Sequence, residues 1–440
     1  MKIGIIGGTR GLGKTLAILL KREGYDISIT GRDQVIGESV SKELDVKYSN
    51  DNKKTASSSD IVIISVPIAS TSTVIKEIAK FIKPSSLLLD ITSVKTEPSK
   101  LMSELLDKDV EFIPTHPVFG PRTNNLNGQV VVLTPIQENQ KEEGKWYPKV
   151  VKFLKDHKVR VIESTPEEHD NMMAVVQVLT HFSYISTASA IKKLGINIKD
   201  TRKFASPIYN LMVDMISRIV SQNPYLTYSI QLENENGEKV RQAFADSVGE
   251  LKEVLTNHDE DKFVNIAIEA TKNMDNIQCA LGRSDKAIES QNYEIAFLKN
   301  SIGKEIALQH MYSGEVHIGI LKDINPDFAT LATGKNEKKI NIANIRILDD
   351  DDLFNWKLDN KSIQRRSISC IFPKNSDENT IKDTLKSSVS DIISVEVTDI
   401  YTGHQIAEDS RSITFEIKSF DKSTFLSVEN LLKGFGGIIR

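Results

Sequence analysis

His116 is the side chain of this sequence best placed for proton-transfer chemistry. It lies in Thr115-His116-Pro117-Val118-Phe119-Gly120-Pro121, directly after an apolar run, Val110 to Pro114, that is typical of a buried strand. Ligands of open α/β sheets bind outside the carboxyl ends of the strands, and two prolines with a glycine predict a fixed, non-strand loop there. A neutral imidazole facing that crevice could act as a general base. An ordinary loop histidine is the alternative interpretation.

A second polar segment, Thr92-Ser93-Val94-Lys95, follows another apolar run, Leu87 to Ile91, and also falls at a strand's carboxyl end. The hydroxyl of Ser93 and the ammonium of Lys95 could therefore meet a substrate in the same crevice. Helix capping is an equally good interpretation of Ser93.

Polar side chains also interrupt two apolar helical patterns. Gln177, His181 and Tyr184 recur at helical spacing within a predicted helix from Pro166 to about Lys193. Arg218 edges the buried stripe predicted for the helix after Ser206, where a guanidinium is costly unless a carboxylate meets it. A structural histidine and an internal ion pair are the respective alternatives.

The N-terminus predicts a strand, a glycine turn and a helix. Lys2 to Ile6 is apolar, Gly7-Gly8-Thr9-Arg10-Gly11-Leu12-Gly13 is the turn, and a helix follows from Leu12 to Glu23. Such a unit points helix N-terminal amides at a pyrophosphate. Arg10 stands where the fingerprint has its second glycine, so a plain βα turn is the alternative. Val66, the last residue of the predicted strand from Ile61, and Pro67 after it are predicted to complete the cofactor site.

The end of the second predicted strand bears on the choice of cofactor. An acid at this position of a dinucleotide fold binds the ribose 2′-hydroxyl of NAD, whereas an arginine accommodates the 2′-phosphate of NADP. Here Gly31-Arg32-Asp33 follows the strand from Asp26 to Thr30, with the arginine first. We therefore favour NADP over NAD, with a solvated surface role for Arg32 as the alternative.

The elements that position these residues change character three times along the 440-residue chain. Alternating strands and helices predict an α/β Rossmann-type domain over 1–164, and the N-cap Thr165 opens an all-α domain over 165–285. Short strands beginning at Ile295 to Leu298 predict a small SH3-like β-barrel over 294–357, closed by the acidic run Asp349 to Asp352. The order β-α-β-β-α predicts a ferredoxin-like α+β domain over 366–440.

Composition excludes several classes of protein. With 56 basic and 60 acidic side chains the net charge is −4, which gives no sequence-wide case for nucleic acid or an anionic membrane. Cys279 and Cys370 form no metal-spaced pair, so no metal site is expected and a reduced, cytoplasmic protein is the default. No signal peptide is expected at the N-terminus. The apolar stretch from Met172 to Ile191 is broken by polar residues, which favours a buried helix over a membrane span.

The chain resembles prephenate dehydrogenases over roughly residues 1 to 285. Five segments carry the resemblance: Asp90-Ile91-Thr92-Ser93-Val94-Lys95, His116-Pro117-Val118-Phe119-Gly120-Pro121, Glu168-His169-Asp170, Thr180-His181-Phe182 and Ser206-Pro207-Ile208-Tyr209. The resemblance implies that His116 binds the ring hydroxyl of prephenate, Ser93 supports it, Arg218 holds a substrate carboxylate and His181 is a second active-site histidine. It also implies NAD(P)-dependent oxidative decarboxylation of prephenate to 4-hydroxyphenylpyruvate, in tyrosine biosynthesis, by a homodimer.

Two other functions remain open at this point. A dehydrogenase of arogenate or a 2-hydroxy acid would share the nucleotide domain, and a dinucleotide-sensing regulator would bind the cofactor without turnover. The last seventy or so residues resemble, weakly, the anticodon-binding domain of phenylalanyl-tRNA synthetases or an amino-acid-sensing ACT domain, the latter with tyrosine as a feedback ligand.

Overall fold

The computed structural model describes residues 1–123, 125–137, 141, 143–325, 327–334, 336–389 and 391–440, without the side chain of Gln291. The chain divides into two compact units, Met1–Glu289 and Ser290–Arg440. They are described separately below.

The first unit begins with an eight-stranded sheet of order β3-β2-β1-β4-β5-β6-β7-β8, in which only the pair β6 and β7 is antiparallel. Central strands such as β4 are buried along their whole length, as expected of a parallel sheet covered on both faces. The predicted Rossmann-type domain is confirmed. Its elements are β1 (Lys2–Ile6), α1 (Gly11–Arg22), β2 (Asp26–Thr30), α2 (Gln34–Leu44), β3 (Lys47–Ser49), α3 (Asn52–Ser58), β4 (Ile61–Ile64), α4 (Ile68–Ile78), β5 (Leu87–Asp90), α5 (Thr96–Leu105), β6 (Glu111–Pro117), β7 (Val130–Leu133), α6 (Tyr147–Asp156) and β8 (Arg160–Glu163).

Strand β6 corrects the expectation that His116 lies in a loop. Residues Glu111 to Pro114 pair in parallel with β5, and the strand then continues, pairing Thr115, His116 and Pro117 antiparallel with β7. Pro117 has no N–H to donate to a neighbouring strand, and it is tolerated because it is the last residue of β6. The second partner strand therefore keeps His116 in extended backbone beyond the edge of β5.

Helices make up the rest of the first unit, confirming the predicted all-α segment. The Thr165 hydroxyl accepts a hydrogen bond from the Glu168 amide, as the predicted N-cap requires. Asn223 and Pro224 begin a further helix, with the Asn223 side chain accepting a hydrogen bond from the Tyr225 amide. The elements are α7 (Pro166–Met173), a π-helical turn (Ala174–Leu179) that continues into α8 (Thr180–Lys193), α9 (Ile198–Thr201), α10 (Pro207–Val220), α11 (Pro224–Glu233), α12 (Gly237–Thr256), α13 (Glu260–Thr271) and α14 (Ile277–Asn300).

The long helix from Pro166 to Lys193 is largely open in the single chain, whereas the sequence predicted that it is buried in the core of an all-α domain or of a dimer. By length and composition this helix alone, among the described residues, could cross a membrane, and only 11% of its apolar window is buried in the single chain. One such helix is weak evidence for a membrane span. An apolar helix left open in one chain also suits a surface covered by a second copy.

The second unit contains two antiparallel sheets, of order β12-β11-β10-β9-β13 and β15-β16-β14-β17. One prediction here is wrong, because Ile295 to Leu298 lies within α14. The acidic run from Asp349 follows the last strand of the first of these sheets and begins a helix whose cap is the Asp349 carboxylate. Barrel closure and the ferredoxin-like assignment stay predictions. The elements are β9 (Glu305–His310), β10 (Val316–Ile324), β11 (Phe328–Thr333), β12 (Asn336–Asn341), β13 (Ile345–Ile347), α15 (Asp350–Asn360), β14 (Gln364–Pro373), α16 (Glu378–Ser388), β15 (Ile392–Tyr401), β16 (Ser410–Ser419), α17 (Thr424–Gly434) and β17 (Ile438–Ile439).

Candidate active site

The glycine turn between β1 and α1 has the backbone that close approach to a phosphate requires. Gly7 has φ of +86°, and a Cβ there would lie 2.2 Å from the Ser65 carbonyl oxygen. A Cβ on Gly13 would lie 2.5 Å from the Gly7 carbonyl oxygen. The first turn of α1 receives no side-chain cap and contains no acidic residue, so its amides are free to meet an anion. These features fit the pyrophosphate of a dinucleotide.

Arg10 does not distort this turn, although a glycine usually stands there. Its φ of −146° is extended backbone that any residue adopts. Its guanidinium lies outside the turn, 3.1 Å from the Asp33 carboxylate. The departure from the fingerprint therefore adds a positive charge beside the end of β2 and leaves the helix start intact.

The residues at the end of β2 form the predicted ribose side of the cofactor site. Asp33 is already engaged, since it pairs with Arg10 and accepts a hydrogen bond from the Ile36 amide at 3.2 Å. Arg32 is exposed and has no ion-pair or hydrogen-bond partner among the described residues. Gly31 packs against Thr9, whose hydroxyl oxygen would be 2.5 Å from a Cβ at Gly31.

The other predicted cofactor residues surround the same turn. Gly8 and Thr9 are buried, Leu12 and Val66 are half-buried, and Gly11 and Pro67 are exposed. Pro67 is the residue before the first turn of α4. The turn therefore lies between the starts of two helices, α1 and α4, at the carboxyl edge of the sheet.

His116 is buried, with 2% of its surface exposed, and its ring is held from both sides. Its Nδ1 lies 2.8 Å from Nε2 of His169, and Nε2 of His116 accepts from the Gln177 amide nitrogen at 3.4 Å. Burial first, then the nearby His169 and Lys95, lower the pKa of His116 well below its usual range. The imidazole is therefore neutral at neutral pH and able to accept a proton.

Behind His116, the hydrogen bonds continue through His169 to Asp170 on α7. Nδ1 of His169 lies 2.7 Å from the Asp170 carboxylate, which also accepts from the amides of Lys95 and Thr96 at 2.8 and 2.9 Å. Burial raises the pKa of Asp170, but its hydrogen bonds to His169, Thr96 and Lys95 outweigh burial and lower it overall. Asp170 is thus a buried anion with satisfied oxygens.

Lys95 does not face the crevice, contrary to the expectation that it binds substrate. Its side chain is fully buried and forms an ion pair with Asp90, whose carboxylate also accepts from Thr92 and from the Thr115 amide. Burial lowers the pKa of Lys95, and the Asp90 charge opposes that shift. A charged pair inside the protein needs both members, so Lys95 stabilises the strand ends that carry the site.

Ser93 does not hold the ring of His116 as expected. It is half-buried and makes no hydrogen bond among the described residues, while both ring nitrogens of His116 are met by other side chains. Its hydroxyl remains available at the carboxyl end of β5.

Of the three polar residues predicted along the long helix, Gln177 contacts His116. Nδ1 of His181 and Oε1 of Gln177 are buried and have no hydrogen-bond partner among the described residues. Burial lowers the pKa of His181. Gln231 donates to the Val178 carbonyl oxygen at 2.9 Å within the π-helical turn that carries Gln177. A buried polar atom without a hydrogen bond destabilises the fold, so we expect a polar ligand to supply hydrogen bonds to these two atoms.

Arg218 is exposed on α10 and meets no carboxylate among the described residues, so the internal ion pair considered from the sequence does not form. The stripe expected to bury this helix is also mostly open: only Val213 and Ile216 are buried, while Met212 and Met215 are 40% and 44% exposed. No hydrogen bond or ion pair joins Arg218 to His116. Its guanidinium is free to bind an anion.

Sequence reasoning missed His169 and Asp170 as members of the site. The segment Glu168-His169-Asp170 contributed only to the family resemblance, because nothing local distinguishes it from a solvated first helical turn. His169 meets His116 across 53 residues and Asp170 meets the start of α5 across 75 residues. No group of three or more potential ligands is arranged around a metal ion in the part of the chain that the structure describes.

A glycine turn before an uncapped helix, in a parallel sheet whose edge carries a buried neutral histidine, defines a class of protein. Its members are oxidoreductases that bind a nicotinamide dinucleotide and remove a proton from the substrate.

Comparison with known proteins identifies the family. Residues 16–163 match the model of the prephenate dehydrogenase nucleotide-binding domain, and residues 165–268 match that of the prephenate dehydrogenase dimerization domain. The chain is 41% identical over 445 aligned positions to a probable arogenate/prephenate dehydrogenase of Methanocaldococcus jannaschii, covering 99% of this chain and 98% of that protein. The chain belongs to the prephenate dehydrogenase family and is a nicotinamide-dependent oxidoreductase of aromatic amino-acid biosynthesis.

Two further proteins resemble part of the chain. The T-protein of Haemophilus influenzae is 29% identical over 265 residues, which are 60% of this chain and 64% of that protein. The crystal structure of prephenate dehydrogenase from A. aeolicus with hydroxyphenyl propionate and NAD+ is 23% identical, covers 62% of this chain and 96% of its own, and has a TM-score of 0.49.

Proposed function

We propose that the protein oxidises and decarboxylates prephenate to 4-hydroxyphenylpyruvate. The observation that carries this proposal is the buried, neutral His116 on the same sheet as a turn built for a dinucleotide. Family membership supports a dehydrogenase of prephenate or arogenate and disfavours a regulator without turnover.

The residues account for the chemistry as follows. Nε2 of His116 takes the proton of the ring hydroxyl, so the O–H electrons form a carbonyl as the hydrogen on the same carbon leaves with its bonding pair. The nicotinamide ring supplies the acceptor for that hydride. The carboxylate on the opposite ring carbon then leaves as carbon dioxide, and its electrons complete the aromatic ring and reach the carbonyl oxygen, which takes the proton back from His116. Arg218 holds the substrate's other carboxylate, and Ser93 and His181 offer polar atoms around the ring.

One steady-state assay tests the proposal: prephenate and arogenate, each with NADP and with NAD. Turnover of prephenate with release of carbon dioxide is expected. Turnover of arogenate alone would transfer the same roles to that substrate, because the two differ only in the side-chain keto or amino group. No turnover of either substrate would contradict the proposal.

NADP is the proposed cofactor, because Arg32 is unpaired while Asp33, the acid that would bind the NAD ribose, is engaged by Arg10. Arg32→Ala is expected to weaken NADP binding roughly 10–100-fold, the loss of a charge-assisted hydrogen bond of ~1.5–3 kcal/mol, and to leave NAD binding nearly unchanged. Fluorescence titration with both cofactors measures this. Arg22→Ala, an exposed arginine at the end of α1, is the matched control. An equal loss for both cofactors would remove Arg32 from the 2′-phosphate site.

Arg218 is proposed to bind a substrate carboxylate. Arg218→Lys keeps the charge but loses the bidentate fork, so the KM for prephenate should rise roughly tenfold or more, with NADP affinity unchanged. Steady-state kinetics check this. Arg202→Lys is the control, because Arg202 lies before α10 and already pairs with Asp214 on that helix. An unchanged KM would show that Arg218 lies outside the substrate site.

A homodimer is proposed through the helical domain. The matched family model describes a dimerization domain, and the exposed apolar side chains of the π-helical turn and of α10 give that domain a surface to bury. Sedimentation equilibrium at micromolar concentration tests it; a monomer would contradict it.

A further inference from the structure

The hydrogen bonds behind His116 determine which ring nitrogens carry hydrogen. The Asp170 carboxylate can only accept, so Nδ1 of His169, 2.7 Å away, must donate. With its hydrogen on Nδ1, a neutral His169 ring presents a lone pair at Nε2. Nδ1 of His116, 2.8 Å from that atom, must therefore carry the hydrogen that is shared.

The hydrogen on Nδ1 of His116 determines the state of its other ring nitrogen, Nε2. With hydrogen on Nδ1, Nε2 of a neutral His116 is a lone pair, which agrees with the Gln177 amide donating to it at 3.4 Å. Nε2 is then the atom that can take a proton. In the other tautomer, Nε2 would carry hydrogen and could not act as a base.

We infer that His169 and Asp170 are positioning residues that keep His116 in the proton-accepting tautomer and support its charge when it takes the proton. This inference rests on the proposed function and adds two residues to it. The proton moves from the substrate hydroxyl to Nε2 of His116, whose Nδ1–H stays hydrogen-bonded to His169. The imidazolium is thereby linked through one neutral ring to the Asp170 anion, and it returns its proton to the substrate oxygen when loss of carbon dioxide turns the ring carbonyl into a phenol.

The charged groups around this hydrogen-bonded chain come from three elements. His169 and Asp170 lie on α7, Lys95 directly precedes α5, and Asp90, at the end of β5, pairs with Lys95. Lys95 forms its ion pair with Asp90, and the Asp170 charge also raises the pKa of Lys95, but the ion-pair contact of Asp170 among the described residues is with His169. Asp170 is therefore the anion that a protonated His116 meets through His169.

Asp170 also has a purely structural contact, because it accepts hydrogen bonds from the amides that begin α5. His169→Gln separates the two roles, since it breaks the chain to His116 and leaves those contacts of Asp170 in place. Asp170→Asn disturbs both. Glu168→Gln, at an exposed neighbouring residue that accepts from the Ser164 hydroxyl, is the control.

A double-mutant cycle tests whether His169 acts through His116. His169→Gln should lower kcat at least tenfold, and at most by the ~10²–10⁴-fold that a general base contributes, with KM and NADP affinity nearly unchanged. In a His116→Asn background the same substitution should cost almost nothing, because its target is gone. Equal losses in both backgrounds, or parent kcat in His169→Gln, would overturn the inference.

The tautomers are also measured without turnover, by ¹⁵N NMR of the full-length protein labelled at histidine. Hydrogen on Nδ1 of both His116 and His169 is expected, with His116 becoming a tautomer mixture in Asp170→Asn and staying unchanged in Glu168→Gln. Hydrogen on Nε2 of His116 in the parent protein would overturn the inference. This result does not depend on the substrate, so an error in the proposed function would appear separately, as absence of prephenate and arogenate turnover.

Discussion

His116→Asn is expected to lower kcat for prephenate by roughly 10²–10⁴-fold, the usual contribution of a general base. Asparagine can hydrogen-bond the ring hydroxyl but cannot accept its proton near neutral pH. Because His116 contacts neither the glycine turn nor Arg32, NADP affinity should stay within about twofold of the parent value. Stopped-flow measurement of cofactor reduction, with fluorescence titration of NADP, checks both results.

The pH profile sharpens this expectation. The sequence alone places the ionisation of a histidine near ~6.5, but burial, His169 and Lys95 lower the pKa of His116 well below that value. A base works only when unprotonated, so kcat should rise with pH through this lowered pKa and then stay level across neutrality. An acidic limb centred at or above 6.5, or one that survives in His116→Asn, would assign the base to another group, with His181 the next candidate.

Lys95→Met is expected to lower the free energy of unfolding by about 3–5 kcal/mol, the usual cost of breaking a buried ion pair. Methionine fills a similar volume, but it leaves the Asp90 carboxylate, which is 0% exposed, without its cation. The hydrogen bonds from Thr92 and the Thr115 amide remain. They stabilise the carboxylate without neutralising its charge.

Urea denaturation followed by the fluorescence of Trp146 measures this loss within the nucleotide-binding domain. A Trp356→Phe background removes the other tryptophan of the chain. Lys80→Met, at an exposed lysine, is the control and should change stability by less than about 0.5 kcal/mol. Asp90→Asn combined with Lys95→Met should recover part of the loss, because no unpaired charge remains. A loss below about 1 kcal/mol in Lys95→Met would show that Asp90 is neutral in the folded protein.

The strands and turns of the nucleotide-binding domain were predicted well because their signals are local. Continuous apolar runs such as Ile61–Ile64 have no polar face, so only a sheet covered on both sides can bury them. The glycine turn and the capped helix after Thr165 depend on backbone chemistry within a few residues. Prediction failed where a short apolar run fits either a strand or a helix. Ile295 to Leu298 was predicted as a strand and lies in the last turns of α14.

The chemistry of the site was predicted in part. His116 was found because it follows an apolar strand, and the cofactor turn was found through its glycines. The role of Lys95 was predicted wrongly, because a lysine at a strand's end is usually exposed, and its burial depends on Asp90 five residues earlier turning toward it inside the fold. The exposed apolar side chains of α10 were not predicted, since an apolar helix pattern does not say whether its own chain or a second one covers it.

By itself, then, the sequence determined the order of strands and helices, the dinucleotide-binding turn and the position of one histidine at a strand end, because periodicity and turn chemistry act over a few neighbouring residues. Only the tertiary structure decided that β6 runs on through His116, that Lys95 is interior, and that His169 and Asp170 stand behind the base. Those contacts join residues 53 and 75 positions apart. Their geometry depends on how α7 packs beside the strand ends, and no local pattern encodes that packing.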